Sequence, residues 1–269
     1  MKNFTSALLA LFIIASSNCF ATDIEVANFK KDEANSSNFM QSDNELTTTE
    51  TTTTNKLVRI LSYNLPKNDD PLEKIDISIQ ILDNGDITSA PRLFKDKKIA
   101  IVNAANSMLL NGNGVCGSIF NATKNNGRDL ANTLRKINSD EHGIKCKPGE
   151  AVTTDAFGIE NVKKIIHTVA PNLSGANWPG NKFNKWTVET RDILKNCYTN
   201  ALKEADKNEC DTIIFPSLGT GIYGCPIDKT PACIKEAINE YYQDNENSNI
   251  KNIIFTLRDR AVKEYLRFF

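Results

Sequence analysis

Hydrophobic residues from about position 56 onward fall into short, unbroken runs that alternate with segments of helical spacing. Two of the clearest runs are Ile99-Ala-Ile-Val102 and Ile213-Ile-Phe215. Unbroken Val, Ile and Phe runs are typical of strands that are covered on both faces. The pattern predicts strands over Leu57–Ser62, Lys74–Leu82, Lys98–Ala104, Ala151–Phe157, Lys163–Val169, Asp211–Ser217 and Asn252–Leu257.

Helical spacing occupies the intervals between these runs. The longest predicted helix is Thr187–Asp206, in which apolar side chains recur every three or four residues. Another is predicted to have Thr230 as its N-cap, because Pro231 suits the first helical position. Strands that alternate with helices predict a three-layer α/β/α sandwich with a mixed, mostly parallel central sheet.

The first 55 residues have a different character. Met1-Lys-Asn carries one positive charge, an apolar run extends from Ala7 to Ala15, and Cys19-Phe-Ala21 suits signal-peptide cleavage. Residues 1–21 are therefore predicted to be a signal peptide that directs secretion or export to the periplasm, with lipid attachment at Cys19 as the less favoured alternative. The polar, Thr-rich residues 22–55 predict a disordered tether. Residues 56–269 remain as one domain.

Charge and cysteine content narrow the expected partners. The formal net charge of -1 gives no general attraction to nucleic acid or to anionic membranes. Apart from Cys19, the six other cysteines are predicted to be mostly free and buried, with disulfides as the alternative that export permits. His142-x-x-x-Cys146 supplies only half of a zinc ligand set. We expect a monomer with no transmembrane segment, metal or cofactor.

Two loops that contain glycine follow predicted strands. Asn103-Ala-Ala-Asn106 ends one strand and leads to Asn111-Gly-Asn-Gly-Val115, where a helix is expected to begin. Pro216-Ser-Leu-Gly-Thr-Gly-Ile-Tyr-Gly224 follows another strand. Glycines allow the backbone to approach an anion closely, and a helix N-terminus favours negative charge. Because ligands of open α/β sheets bind beyond the carboxyl ends of the strands, the two loops predict a diphosphate in one cleft.

Five short motifs follow one another along the predicted domain. They are Gly85-Asp-Ile-Thr88, Val102-Asn-Ala-Ala-Asn106, Gly112-x-Gly-Val115, Ile166-His-Thr-Val169 with Pro171, and Gly219-Thr-Gly-Ile-Tyr-Gly224. Their order resembles that of the macrodomain family, and the resemblance extends from about residue 56 to the C-terminus. This resemblance implies ADP-ribose as the ligand and ADP-ribosylated proteins as partners.

The resemblance also implies roles for individual residues. Asp86 would accept a hydrogen bond from the adenine amino group beside the Ile87 backbone, although an Asp here also suits a turn. Arg258 stands where the family often has an aromatic residue against the adenine; it either stacks or is a solvated surface residue. Asn103 and Asn106 would flank the distal ribose, or satisfy the loop. Residues implied to hold the diphosphate and ribose are Gly112, Gly114, Val115, Cys116, Gly219, Thr220, Gly221, Ile222 and Tyr223.

Cys116 departs from the pattern of many hydrolytic macrodomains, which have an Asp there to activate water. It is not paired with an obvious base, and His167 is predicted to be structural. Asn106 is therefore the first choice for orienting substrate and attacking water, with Asn103 beside it. The predicted function is hydrolysis of mono-ADP-ribose from modified proteins. The alternatives are a non-catalytic reader of ADP-ribose, an O-acetyl-ADP-ribose deacetylase and an ADP-ribose phosphate phosphatase.

Overall fold

A single sheet runs through the part of the chain that the computed structural model describes, which is residues 56–66, 74–83, 85–175, 182–258 and 260–269. The predicted signal peptide and tether lie outside these residues. The strands are β1 (Lys56–Pro66), β2 (Lys74–Asp83), β3 (Ile99–Ala104), β4 (Ala151–Asp155), β5 (Val162–Thr168), β6 (Thr212–Pro216) and β7 (Asn252–Leu257). The α-helices are α1 (Val115–Ala122), α2 (Arg128–Arg135), α3 (Val188–Lys207), α4 (Thr230–Asp244) and α5 (Arg260–Phe268), with 3-10 helices over Ala90–Leu93 and Lys124–Gly127.

The strand order across the sheet is β1-β2-β7-β6-β3-β5-β4. β1 is antiparallel to β2 and β4 is antiparallel to β5, whereas all other neighbours are parallel. The prediction of a mixed, mostly parallel sheet is confirmed. The carboxyl ends of β2, β7, β6, β3 and β5 consequently lie along one side of the sheet, which is called the carboxyl edge below.

Helices cover both faces of the sheet and complete the three predicted layers. On one face, α3, α4 and α5 pack on a cluster that contains Tyr198, Phe215 and Phe255. On the other face, α1 and α2 pack on a cluster that contains Ile101 and Phe120. Because β3 and β6 are covered on both faces, their sequences are apolar runs without alternation. Among the described helices, none is both long enough and apolar enough to cross a membrane.

Three helix starts were predicted, with different outcomes, and α1 begins at Val115 as expected. α3 begins after Thr187, whose side chain accepts from the Thr190 amide while the Thr190 hydroxyl accepts from the Thr187 amide. The predicted N-cap of α4 is wrong by one residue, because the cap is Lys229. Thr230 lies inside the helix, where its hydroxyl donates to the Pro226 carbonyl at 2.9 Å. Pro231 does not distinguish the two starts, since the first-turn amides of a helix have no intrahelical acceptor.

The cysteines that follow Cys19 are all free and buried, as predicted. Burial raises the pKa of each of these thiols, to about 11 for Cys197 and Cys210 and to about 12 for Cys146 and Cys225. The thiolate is the reactive form of cysteine, so these groups are chemically protected in the native fold. The six are Cys116, Cys146, Cys197, Cys210, Cys225 and Cys233.

We expect a thiol reagent such as dithionitrobenzoate to modify none of these six thiols rapidly in the reduced, native chain. In denaturant, all six should react at the rate of a free thiol, because the burial that raises their pKa is lost. The release of the coloured thiolate over time measures both rates. Rapid reaction of any of the six in the native chain would contradict the packing described here.

Candidate functional site

Loops from neighbouring strands meet at the carboxyl edge and are joined by backbone hydrogen bonds. The Gly85 amide donates to the Leu257 carbonyl at 3.4 Å, which links the loop after β2 to the end of β7. The Leu173 amide donates to the Tyr223 carbonyl at 2.6 Å, which links the loop after β5 to the loop after β6. The motifs that the sequence analysis selected are therefore brought to one side of the sheet.

The loop between β3 and α1, residues 105–114, is called the first loop. Its shape is held by Asn106, whose Nδ2 donates to the Leu110 carbonyl at 2.7 Å and whose Oδ1 accepts from the Leu110 amide at 3.1 Å. Leu109, which precedes Leu110 in the sequence, is buried and has φ of 56°, an unusual value for a bulky residue. Both polar ends of the Asn106 amide are thus used within the loop. Its predicted contact with substrate and water stays a prediction.

The first loop leads into the N-terminus of α1. The N-cap is Gly114, with φ of 61° and no side chain to cap the helix. The first-turn amides therefore lack a side-chain acceptor and point their positive end beyond the sheet. Gly112 and Gly114 are exposed, and Val115 is partly exposed. This arrangement suits an anion placed against the loop.

Gly117 is a residue that the sequence analysis missed. A Cβ at this position would lie 2.6 Å from the carbonyl oxygen of Gly112. Only glycine therefore allows the first loop to pack against the first turn of α1 in this way. The signal was present in the sequence, because an isolated glycine within a helical segment indicates close packing.

The loop after β6, residues 217–225, is called the second loop. The Cys225 amide donates to the Gly219 carbonyl at 2.9 Å, and the Gly224 amide donates to the Gly221 carbonyl at 3.0 Å. The Thr220 hydroxyl donates to the Ser217 carbonyl at 3.0 Å, so it is used within the loop. Ile222 is 71% exposed, which is unusual for a large apolar side chain.

Tyr223 connects the second loop to the first. Its ring packs against both core clusters, including the one that contains Cys116 and Leu109. Burial raises the pKa of the Tyr223 hydroxyl, and the nearby Cys116 raises it further. The two glycine loops therefore approach each other on the α1 side of the sheet, as the predicted cleft requires.

The proposed adenine residues lie at the ends of β2 and β7. Asp86 is partly buried, and its Oδ1 accepts from the Thr88 amide at 3.0 Å and from the Thr88 hydroxyl at 2.9 Å. The Thr88 hydroxyl also lies 2.9 Å from the Asp86 Oδ2 atom, so both carboxylate oxygens take part in the turn that the sequence analysis left open. The Ile87 side chain is buried. Arg258 is exposed and directly follows Leu257, which accepts from Gly85.

Asn103 is only 1% exposed and is bonded inside the protein. Its Nδ2 lies 3.0 Å from His167 Nδ1 and 3.7 Å from Cys116 Sγ. The other ring nitrogen of His167 lies 3.0 Å from the Thr154 hydroxyl, so both nitrogens are satisfied. The structural role predicted for His167 is confirmed. A contact between Asn103 and a ribose stays a prediction.

Neither Cys116 nor His167 is suited to act as a general base at neutral pH. Burial raises the pKa of the Cys116 thiol, and the thiol donates towards the Leu110 carbonyl. Burial lowers the pKa of His167 to about 3, so its imidazole is neutral near pH 7. Of the metal-ligand pair considered earlier, His142 is exposed and Cys146 is buried. Within the described ranges, no group of three or more His, Cys, Asp or Glu residues is arranged to hold a metal ion.

Comparisons with known proteins agree on one family. The Macro domain family model matches residues 102–234. A macro domain-containing protein of Caldanaerobacter subterraneus is 34% identical over 163 residues, which are 61% of this chain and 84% of that protein. The ADP-ribose glycohydrolase of Archaeoglobus fulgidus is 30% identical over 192 residues, covering 70% of this chain and 90% of that protein. The Oceanobacillus iheyensis macrodomain with ADP has a TM-score of 0.56 and 29% identity, with 78% of this chain and 95% of that chain covered.

Proposed function

Because the chain belongs to the macrodomain family, we propose that it binds ADP-ribose at the carboxyl edge and hydrolyses mono-ADP-ribose from modified proteins. The observation that carries the binding proposal is the approach of two glycine loops on the α1 side, one of which ends at a helix without a side-chain cap. A diphosphate fits such a pair of loops because backbone amides and the helix dipole favour negative charge. The similar Oceanobacillus iheyensis macrodomain with ADP supports this ligand class.

The ligand is proposed to lie along the carboxyl edge from β2 to β3. Adenine would donate its amino hydrogens to Asp86, and the diphosphate would lie between Gly112–Val115 and the second loop. The distal ribose would then reach Asn106 and Tyr223. The strand order supports this path, because β7 and β6 separate β2 from β3.

Hydrolysis is proposed to depend on positioning more than on acid–base groups. A water oxygen would attack the anomeric carbon of the distal ribose, the bond to the protein side chain would break, and a water proton would pass to the departing side-chain atom. Neither Cys116 nor His167 suits a base at neutral pH, given the raised and lowered pKa of these groups. A substrate phosphate would help to hold the water. The similarity to the Archaeoglobus fulgidus ADP-ribose glycohydrolase supports this reaction.

A reader that binds ADP-ribose without cutting it is the second candidate. Two observations favour it: a buried thiol stands in place of a carboxylate at Cys116, and both ends of the Asn106 amide are bonded to Leu110. In this case the cleft would retain the ligand, and no water would be activated. Deacetylation of O-acetyl-ADP-ribose and removal of a terminal phosphate would use the same cleft.

Two measurements on the full chain test the proposal. Calorimetric titration with ADP-ribose should show binding, and incubation with a mono-ADP-ribosylated protein should release ADP-ribose. Asn106→Ala should lower turnover by about a hundredfold or more, in the range expected when reacting groups are misplaced. The same change should weaken binding by only about tenfold, through loss of the two bonds to Leu110. Binding without release by the wild-type chain would establish the reader.

Asp86→Asn tests the adenine contact separately from the turn. The amide can still accept from the Thr88 amide, but a neutral oxygen is a weaker acceptor for the adenine amino group than a carboxylate. Asp211→Asn is a matched control, since Asp211 also accepts a backbone amide, from Lys98, and a threonine hydroxyl, from Thr212, but precedes β6 at the opposite edge. We expect affinity to fall about tenfold for Asp86→Asn only. Equal affinities for the two variants would place the adenine elsewhere.

A further inference from the structure

Three buried polar side chains form a row across the sheet beneath α1. They are Asn103 on β3, His167 on β5 and Thr154 on β4, with exposures of 1%, 0% and 6%. Asn103 and His167 are direct partners in the parallel register of β3 and β5. Polar groups at this depth are costly unless they are bonded, so their arrangement is specific.

The proton positions in the row follow from Thr154. Its hydroxyl donates its one hydrogen to the Asp155 carbonyl at 3.1 Å, so it accepts from the Nε2–H group of His167 at 3.0 Å. The neutral imidazole then carries no proton on Nδ1, which accepts from Asn103 Nδ2 at 3.0 Å. Thr154 thereby selects the tautomer of His167 that can receive Asn103.

The row reaches the first loop through Cys116. Asn103 Nδ2 also donates towards Cys116 Sγ, which lies 3.7 Å away, and the Cys116 thiol donates towards the Leu110 carbonyl at 3.7 Å. Leu110 is also held by Asn106 through both of its backbone polar groups. Leu110, in the middle of the first loop, is therefore held by two separate contacts, one from Cys116 and one from Asn106.

The amide of Asn103 is held from one end only. Its Oδ1 atom is buried and has no hydrogen-bond partner within the described part of the chain. A buried acceptor without a partner is unfavourable, and the amide would turn to relieve it if nothing opposed the rotation. His167 Nδ1 opposes it, because the reverse orientation would place the amide oxygen against an unprotonated nitrogen.

We propose that His167 is a positioning residue for the first loop, acting through Asn103 and Cys116 on Leu110. The consequence for binding rests on the proposed function: the first loop is held in the shape that receives the diphosphate. His167 would then affect the affinity for the ligand without touching it. It also explains why Asn103 remains fixed with one unsatisfied atom.

Amide hydrogen exchange measured by NMR tests the proposal in the full chain. The Leu110 amide reports on the first loop, and the Ile214 amide in the middle of β6 reports on global opening. His167→Phe keeps an aromatic ring but removes the acceptor for Asn103. We expect the Leu110 exchange rate, relative to that of Ile214, to rise about tenfold, and the Kd for ADP-ribose to rise about tenfold. His167→Asn, which retains an acceptor near the Nδ1 position, should restore part of both losses.

Two further variants cut the same row elsewhere, and one leaves it intact. Cys116→Ala removes the sulfur link, and Thr154→Val removes the acceptor for Nε2, so both should raise the relative Leu110 rate even if His167→Phe does not fold. Long-range nitrogen NMR should show the Nε2–H tautomer in the wild type and its loss in Thr154→Val. Thr168→Val is the matched control, since its buried hydroxyl donates to the Glu150 carbonyl outside the row.

The outcomes separate this role from general destabilisation. An unchanged relative Leu110 rate in the row variants, or an equal rise in Thr168→Val, would overturn the proposal. If the wild-type chain fails to bind ADP-ribose, the proposed function fails, while the exchange rates still decide whether His167 positions the loop.

Discussion

Replacing Gly219 with alanine should lower the free energy of unfolding by about 3 kcal/mol. Gly219 has φ of +74°, a conformation that costs an L-residue about 1–2 kcal/mol. The added Cβ would also lie 2.6 Å from Cys225 Sγ and 3.0 Å from Ala170 Cβ, and crowding of this kind costs about 1–3 kcal/mol. Equilibrium urea unfolding, with the midpoint and slope compared between variant and wild type, measures the effect.

Gly221→Ala is the matched control in the same loop. A Cβ at Gly221 meets nothing within 4 Å, and its backbone lies outside the left-handed region. We therefore expect its unfolding midpoint to stay close to the wild-type value. Its affinity for ADP-ribose should still fall, because the methyl group would occupy the surface proposed for the diphosphate. Equal stability of the two variants would contradict the packing of the second loop.

Lowering the pH from 7 to 4 should remove about 3 kcal/mol of stability through His167 alone. Burial lowers the pKa of the native imidazole to about 3, from an ordinary value of 6.5. Between these two values the unfolded chain binds a proton that the native chain does not. The free energy of unfolding therefore rises with pH across this window. The contribution of His167 is fully present above about pH 6.5 and is lost as the pH falls towards 3.

Comparison with His167→Phe isolates this contribution. Other groups also titrate below pH 7; burial of Asp206 acts to raise its pKa, but hydrogen bonds from Asn249 and Tyr241 lower it overall. Such groups remain in the variant, so they cancel when the two pH profiles are subtracted. Urea unfolding at several pH values between 4 and 7 should show a steeper profile for the wild type. Parallel profiles would mean that the pKa of His167 is the same in the native and unfolded chains, which would contradict its burial as a neutral imidazole.

The strands and their bounds were largely predictable from the sequence, and the physical reason is clear in β3 and β6. Each is buried on both faces, so each appears as a short apolar run without alternation, of a length typical of strands. The order of the strands across the sheet could not be predicted in this way. Hydrophobic periodicity indicates which strands are buried, but it does not indicate which strands are neighbours. The start of α4 was wrong because Pro231 is compatible with both the first and second helical positions.

The loops of the candidate site could be predicted from the sequence, but the hydrogen bonds within them could not. The motifs located both glycine loops and Asp86. They did not reveal that Asn106 is bonded to Leu110, because the chain between them has a left-handed backbone at Leu109, a conformation that a leucine does not suggest. The predicted strand Lys98–Ala104 included Asn103, but the partner of its amide could not be predicted, because His167 lies on a different strand.

The paired bonds between Asn106 and Leu110 have a kinetic consequence. A loop whose shape is fixed before binding does not need to be ordered by its ligand, so little conformational entropy is lost in the encounter. Association should then proceed at similar rates for different ligands that carry the same diphosphate. Differences in affinity among such ligands should therefore be found in how slowly each one leaves.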